Sequence, residues 1–109
     1  MNAGLKKSEI LSDKKEISGL FEKGKWNKGT YINVVSLPAK ERRILFAVAR
    51  HIKGAVNRNK GKRYLREVYR TNKEYFSPLC IYGIILKELP VKKPLQLLLS
   101  DIRSIIQYE

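Results

Sequence analysis

The sequence predicts a single α+β domain in which helices cover a sheet. Three observations lead there. Short apolar or alternating runs are interleaved with longer segments whose apolar residues recur every three or four positions. Hydrophobic residues make up 43% of the 109, enough for a packed core at this length. No repeat, low-complexity stretch or linker breaks the pattern, so residues 1–109 read as one domain.

The elements follow in order. Residues 12–23 form a helix, with Ser12 as N-cap, Ile17, Leu20 and Phe21 on one face, and Gly24 as the stop. Residues 30–37 and 43–50 are strands joined by a short turn at 38–42. In the first strand Tyr31, Asn33 and Val35 share one face, and Ile32 and Val34 the other. The second is apolar throughout positions 44–49, as expected of a central strand covered on both faces. Residues 55–73 lose the two-residue period and form the longest helix. A buried strand at 79–86 lies between Ser77-Pro78 and Pro90. The last helix spans 94–108, with Pro94 in its first turn and Leu95, Leu98, Leu99, Ile102, Ile105 and Ile106 as its apolar stripe. The order read from the residues is α-β-β-α-β-α.

Composition removes several functional classes. The apolar run at 79–86 is far short of the ~20 residues of a membrane-spanning helix. The opening MNAGLKKSEI has no signal-peptide stretch, so the expected location is cytoplasmic, with no membrane partner. Single residues of cysteine and histidine, Cys80 and His51, supply neither a disulfide framework nor a zinc site, and Cys80 reads as a small buried hydrophobe. The ten acids are scattered, and a lone histidine is a poor basis for acid–base chemistry, so no catalytic or metal-binding residue is assigned. The formal charge of +13 calls for a polyanionic partner, nucleic acid first among them.

That charge is concentrated. Between Arg50 and Lys73 lie nine basic residues and one acid, Glu67. On a helical wheel with Arg58 at zero, Lys62 falls near 40°, Lys73 near 60°, Arg66 near 80°, Arg70 near 120° and Arg63 near 140°, at ~100° per residue. Asn59 falls within the same arc, while Tyr64, Leu65 and Val68 lie opposite. An ordinary solvated face would alternate in sign, because like charges four apart repel. Here Arg58, Lys62, Arg66 and Arg70 repeat at that spacing with no acid on the arc, a pattern that a phosphate backbone would offset. Composition leaves DNA and RNA equally open.

The run Ala55-Val56-Asn57-Arg58-Asn59-Lys60-Gly61-Lys62-Arg63-Tyr64-Leu65-Arg66-Glu67-Val68-Tyr69-Arg70 resembles the signature of the protein subunit of bacterial ribonuclease P. That pattern is Ala-Val, any residue, Arg-Asn, two residues, Lys-Arg, two residues, Arg-Glu and a nearby Arg, and every fixed position is met. The likeness extends to Leu5-Lys6-Lys7, to Phe21 and Gly24 at a helix end, and to the strand at 46–50. Departures include Ala49-Arg50-His51 and Lys53-Gly54 ahead of the motif, Ile17 where many relatives carry Phe, and Gly61 in place of a branched aliphatic residue. Gly61 falls near 300°, the middle of the apolar side, and implies either close backbone packing or a weaker helix.

The resemblance implies a four-stranded sheet with three helices, a further strand joining the order α-β-β-(β)-α-β-α, and a left-handed β-α-β crossover. It implies a protein that cuts nothing itself. A catalytic RNA with Mg2+ removes the 5′ leader of precursor tRNA, and no cofactor is bound by the protein chain. The RNA-binding residues carried over are Arg50, His51 and Lys53 ahead of the helix. Within it they are Asn57, Arg58, Asn59, Lys60, Lys62, Arg63, Arg66 and Arg70. A groove between the first helix and the sheet would hold the single-stranded leader, with Phe21, Tyr31 and Asn33 as contacts and Ile17 and Val35 as lining. Aromatic residues at such spacings also serve as core, and Trp26, in a polar stretch, is either exposed for stacking or folded over the core. Two rival readings are a ribosomal or ribosome-assembly RNA-binding protein and a small regulator that binds duplex DNA selectively.

Overall fold

The computed structural model describes residues 7–106, so Leu5-Lys6 and the expected helix end at 108 lie outside the described residues. Helix α1 spans Lys14–Lys23. Its N-cap is Asp13, not Ser12: the Asp13 carboxylate accepts the Glu16 N–H at 3.3 Å, placing the cap one residue later than expected. Gly24 ends the helix, its N–H bonded to the Leu20 carbonyl. Strands β1 (Lys25–Lys28), β2 (Ile32–Pro38) and β3 (Arg43–Val48) follow. Helix α2 covers Ala55–Thr71, β4 covers Cys80–Leu86, and α3 covers Pro94–Ile105. The result is an α+β fold with three helices and a four-stranded mixed sheet.

The strand order is β1-β2-β4-β3. β1 and β2 are antiparallel, as are β2 and β4, while β3 runs parallel to β4. Two sequence expectations are corrected here. β1 is a strand the residue pattern missed, because its four residues, Lys-Trp-Asn-Lys, are mostly exposed and form a lysine-flanked edge. β3 is an edge strand, not a central one, and the centre belongs to β4. β3 reads as central because both its faces are covered: Ile44 and Val48 join the main core, while Leu45 packs into a smaller cluster on the other side. Its outer edge is covered too, by the Leu11 N–H bonded to the Ile44 carbonyl at 2.9 Å. Hydrophobicity reports coverage, which here differs from rank in the sheet.

Register fixes the two faces. Ile32 and Val34 of β2 and Tyr82, Ile84 and Leu86 of β4 pack with Leu65, Val68 and Tyr69 of α2 and Leu98 and Ile102 of α3. Val35 and Ile81 face the other way and pack with Leu11 and Leu20 near α1. Of the expected α3 stripe, Leu98 and Ile102 are buried within the helix and Ile106 just past its end, Leu99 and Ile105 pack partly buried against the core, and only Leu95 is exposed.

One buried carboxylate ties α3 to the sheet. Asp101 accepts the backbone N–H groups of Thr30 at 3.2 Å, Tyr31 at 2.6 Å and Ile32 at 3.1 Å. Three donors entering β2 are thereby satisfied across about seventy residues of sequence, in keeping with the rule that buried charges carry hydrogen bonds.

Candidate nucleic-acid interface

Helix α2 lies against the sheet through Gly61, Leu65, Val68 and Tyr69. A Cβ at Gly61 would meet Leu86 Cδ2 at 2.7 Å and Val48 Cγ2 at 3.4 Å. Of the two expectations for Gly61, close packing is the one realised: the backbone approaches the sheet where a side chain would not fit. The helix begins after Gly54, whose φ of 89° turns the chain from β3, and no side chain caps it. No acid stands in its first turn, so its unpaired N–H groups and positive dipole end add to the local charge.

The basic arc divides by environment. Asn59, Lys62, Arg63 and Arg66 are exposed on the side away from the sheet, Asn57 is exposed in the first turn, and Lys60 is half-buried. Arg66 holds its guanidinium 5.9 Å from the Phe46 ring centroid. Arg70 forms an ion pair with Glu67, which raises the Arg70 pKa. Lys73 lies beyond the helix, in the short 3-10 turn Lys73–Tyr75, and pairs with Glu9 at 2.9 Å. Arg58 bends back, donating to the carbonyls of Ala49 at 2.9 Å, Ile52 at 3.0 Å and Val48 at 3.1 Å. The arc of six therefore presents Lys62, Arg63 and Arg66 outward, with its two ends engaged in the fold. The wheel gives direction but does not show the acid brought in at Glu9, or the carbonyls at the end of β3 and in the turn after it.

Ahead of the helix, Arg50, His51 and Lys53 are exposed on the turn at residues 49–54. His51 Nε2 lies 2.6 Å from the Lys87 carbonyl oxygen, and the Asn57 amide donates to the Lys53 carbonyl at 3.3 Å. Because Arg58 reaches this turn, and Lys62 and Arg66 continue its row at four-residue steps, turn and helix form one cationic strip.

The other face of the sheet, beside α1, carries an exposed aromatic pair. Phe21 and Trp26 are both exposed, their ring centroids 5.6 Å apart and tilted by 43°, and the Trp26 indole N–H donates to the Phe21 carbonyl at 3.2 Å. Cross-strand pairing sets Trp26 opposite Val35 and Val35 opposite Gly83. A Cβ at Gly83 would meet Val35 Cγ1 at 3.0 Å and the Phe21 ring at 3.4 Å, so the missing side chain lets Phe21 and Val35 pack closely over β4. Asn33 shares this face by alternation, and among the described residues its buried Oδ1 has no hydrogen-bond partner. Ile17 packs with the α1-side cluster. Tyr31 does not share a face with Asn33 and Val35: it precedes β2 and packs against the α2–α3 core, because Asp101 fixes its backbone before the strand's alternation starts. Trp26, left undecided by the sequence, is exposed and joins Phe21.

A cavity of about 510 Å³ opens on the α3 side of the sheet, between Lys25, Ser36, Cys80, Tyr82 and Ile106, and is lined by neither the strip residues nor the aromatic pair. Cys80 is half-buried at its wall, less enclosed than expected. Among the described residues, no three His, Cys, Asp or Glu side chains come together as metal ligands, and no helix is long and apolar enough to cross a membrane.

Comparison with known proteins agrees with this fold. The chain is 36% identical over 88 residues to the ribonuclease P protein component of Chlorobium phaeobacteroides, a match covering 72% of this chain and 60% of that one. It is 40% identical over 73 residues to the corresponding protein of Petrotoga mobilis, covering 65% and 62%. The matches span about three-fifths of the length of these curated relatives. The RNase P protein from Thermotoga maritima superposes with a TM-score of 0.74 at 24% identity, covering 91% of this chain and 99% of that one. The Staphylococcus aureus RNase P protein superposes at 0.75 with 17% identity, covering 91% and 93%. A family model described as Ribonuclease P matches residues 5–108, which takes in the cationic strip, the aromatic pair and every strand, and by that match the chain belongs to the ribonuclease P protein family.

Proposed function

We propose that this chain is the protein component of ribonuclease P. In this reading it binds the catalytic RNA through the strip of Arg50, His51, Lys53, Lys62, Arg63 and Arg66, with Asn57, Asn59 and Lys60 as neighbouring polar contacts. It holds the 5′ leader of precursor tRNA in the groove at Phe21, Trp26 and Asn33, lined by Ile17 and Val35. One observation carries it: the motif residues Asn59, Lys62, Arg63 and Arg66 stand exposed on α2, beside a turn whose cations are also exposed. Arg and Lys at this spacing supply forked and point-charge donors for phosphates, while aromatic rings give single-stranded bases a stacking surface.

The chain supplies no catalytic residue in this reading. The RNA, with Mg2+, breaks the phosphodiester bond. The protein raises affinity for leader-bearing substrate and screens phosphate repulsion between the RNAs, and it acts as one cytoplasmic domain. The test is reconstitution. Purified protein alone should leave precursor tRNA intact, and with its cognate ribonuclease P RNA at low Mg2+ it should restore 5′ cleavage. A folded sample that binds ribosomal RNA and leaves cleavage at the RNA-alone rate would point to a ribosome-assembly protein, and selective duplex DNA binding to a regulator.

A further inference from the structure

We infer that Arg58 is a positioning residue: its guanidinium fixes the turn that presents Arg50, His51 and Lys53, and its part in RNA binding runs through that turn. The inference rests on the interface reading above. Arg58 stands in the same row as Lys62 and Arg66, so a wheel assigns all three the same task. The geometry assigns Arg58 another. Three of its five N–H donors end on backbone carbonyls: Nη1 on Ala49 and Ile52, Nη2 on Val48.

These carbonyls lie where β3 leaves the sheet. Beside Arg58, the turn is held by the His51 ring at the Lys87 carbonyl, by the Asn57 amide on the Lys53 carbonyl and by buried Ile52. The Ala49 N–H reaches the Leu86 carbonyl at 2.8 Å, and the Ile52 N–H closes on the Ala49 carbonyl at 3.1 Å. Gly54 then reverses the backbone, and α2 begins with the Arg58 N–H on the Gly54 carbonyl at 3.0 Å. Arg58 thus bonds the turn through its backbone at one end and its side chain at the other. A planar fork spans three carbonyls; a lysine ammonium is a single point and does not. Holding the turn in one shape spares the RNA complex the cost of ordering three cationic or polar side chains on a loose loop.

The test is a double-mutant cycle on affinity for the cognate ribonuclease P RNA, using the full chain. The variants are Arg58→Ala, Arg58→Lys, the turn variant Arg50→Ala/Lys53→Ala, and their combinations. Arg58→Lys should weaken binding by about tenfold although it keeps the charge, on the scale of one charge-assisted contact. Each Arg58 variant combined with the turn variant should bind far better than the product of the separate losses predicts, because the turn's contribution has already been lost. Lys62→Ala combined with the turn variant should multiply. Should Arg58→Ala fail to fold, the Arg58→Lys arm carries the cycle. Wild-type affinity in Arg58→Lys overturns the inference, since charge alone then suffices. So does simple multiplication with the turn variant, or a lowered melting temperature with unchanged affinity. A turn variant that binds like wild type removes the interface reading of the turn and this inference with it, whereas failed coupling leaves that reading in place.

Discussion

Replacing Asp101 by alanine removes the acceptor for three backbone donors at the entry to β2. The three do not count equally. Thr30 is exposed, so its N–H regains water at almost no cost; Tyr31 is half-buried; Ile32 is fully buried and its donor is left unpaired. An orphaned buried donor costs about 1–3 kcal/mol, and a partly wet one less. Relief from burying a charge and alanine's better helix propensity return about 1 kcal/mol. The net expectation is a loss of about 1–3 kcal/mol, or roughly 5–20 °C in melting temperature for a domain this size. Asp101→Asn keeps one oxygen to serve Tyr31 and Ile32, as Oδ2 does now, with its amide turned toward exposed Thr30; it should lose about 1 kcal/mol. Urea denaturation followed by circular dichroism at fixed ionic strength measures both. An alanine loss under about 1 kcal/mol, or an asparagine loss equal to it, would refute the reasoning.

Other expectations concern separate parts of the molecule. Gly61→Ala should destabilise by about 1 kcal/mol, because pushing buried Leu86 aside outweighs the gain in helix propensity, and Gly61→Val should cost more; a stabilised alanine variant in thermal melts would contradict the close approach. Burial pushes the Tyr69 phenol up to about 12, so between pH 10 and 12 the folded state holds a proton that the unfolded chain has lost, and stability falls as pH rises through that window. Tyr69→Phe should flatten part of that decline in urea midpoints, leaving the part due to Tyr82, which burial raises as well. Lys62→Ala and Arg66→Ala should each weaken RNA binding and lower the salt-dependence slope by about one. Phe21→Ala should weaken precursor tRNA by roughly 1–3 kcal/mol while leaving mature tRNA unchanged, since stacking acts on the leader alone.

Much of this architecture was legible because it follows from local pattern. The turn to α2 and its outward residues follow from the loss of alternation after Gly54 and from the spacing of Arg58, Lys62 and Arg66. β4 is a buried strand because its seven residues carry no charge. What was not legible depended on distant partners. Nothing near Asp101 announces three amides from residues 30–32. Arg58 and Lys62 look alike until the end of β3 and the turn after it deliver three carbonyls to one of them. Lys25–Lys28 fails as a strand by composition and forms one because β2 offers an open edge. Tyr31 reads as groove only if alternation starts one residue before it does.

The sheet order also sets a schedule. β2 and β3 are neighbours in the chain, yet each takes β4 as its partner, so neither can be completed during synthesis until residue 86 has emerged. Until then the nascent chain carries most of its cations without the scaffold that aims them. Early encounters with any polyanion nearby would be indiscriminate, and selectivity arrives only with the insertion of one late, uncharged strand.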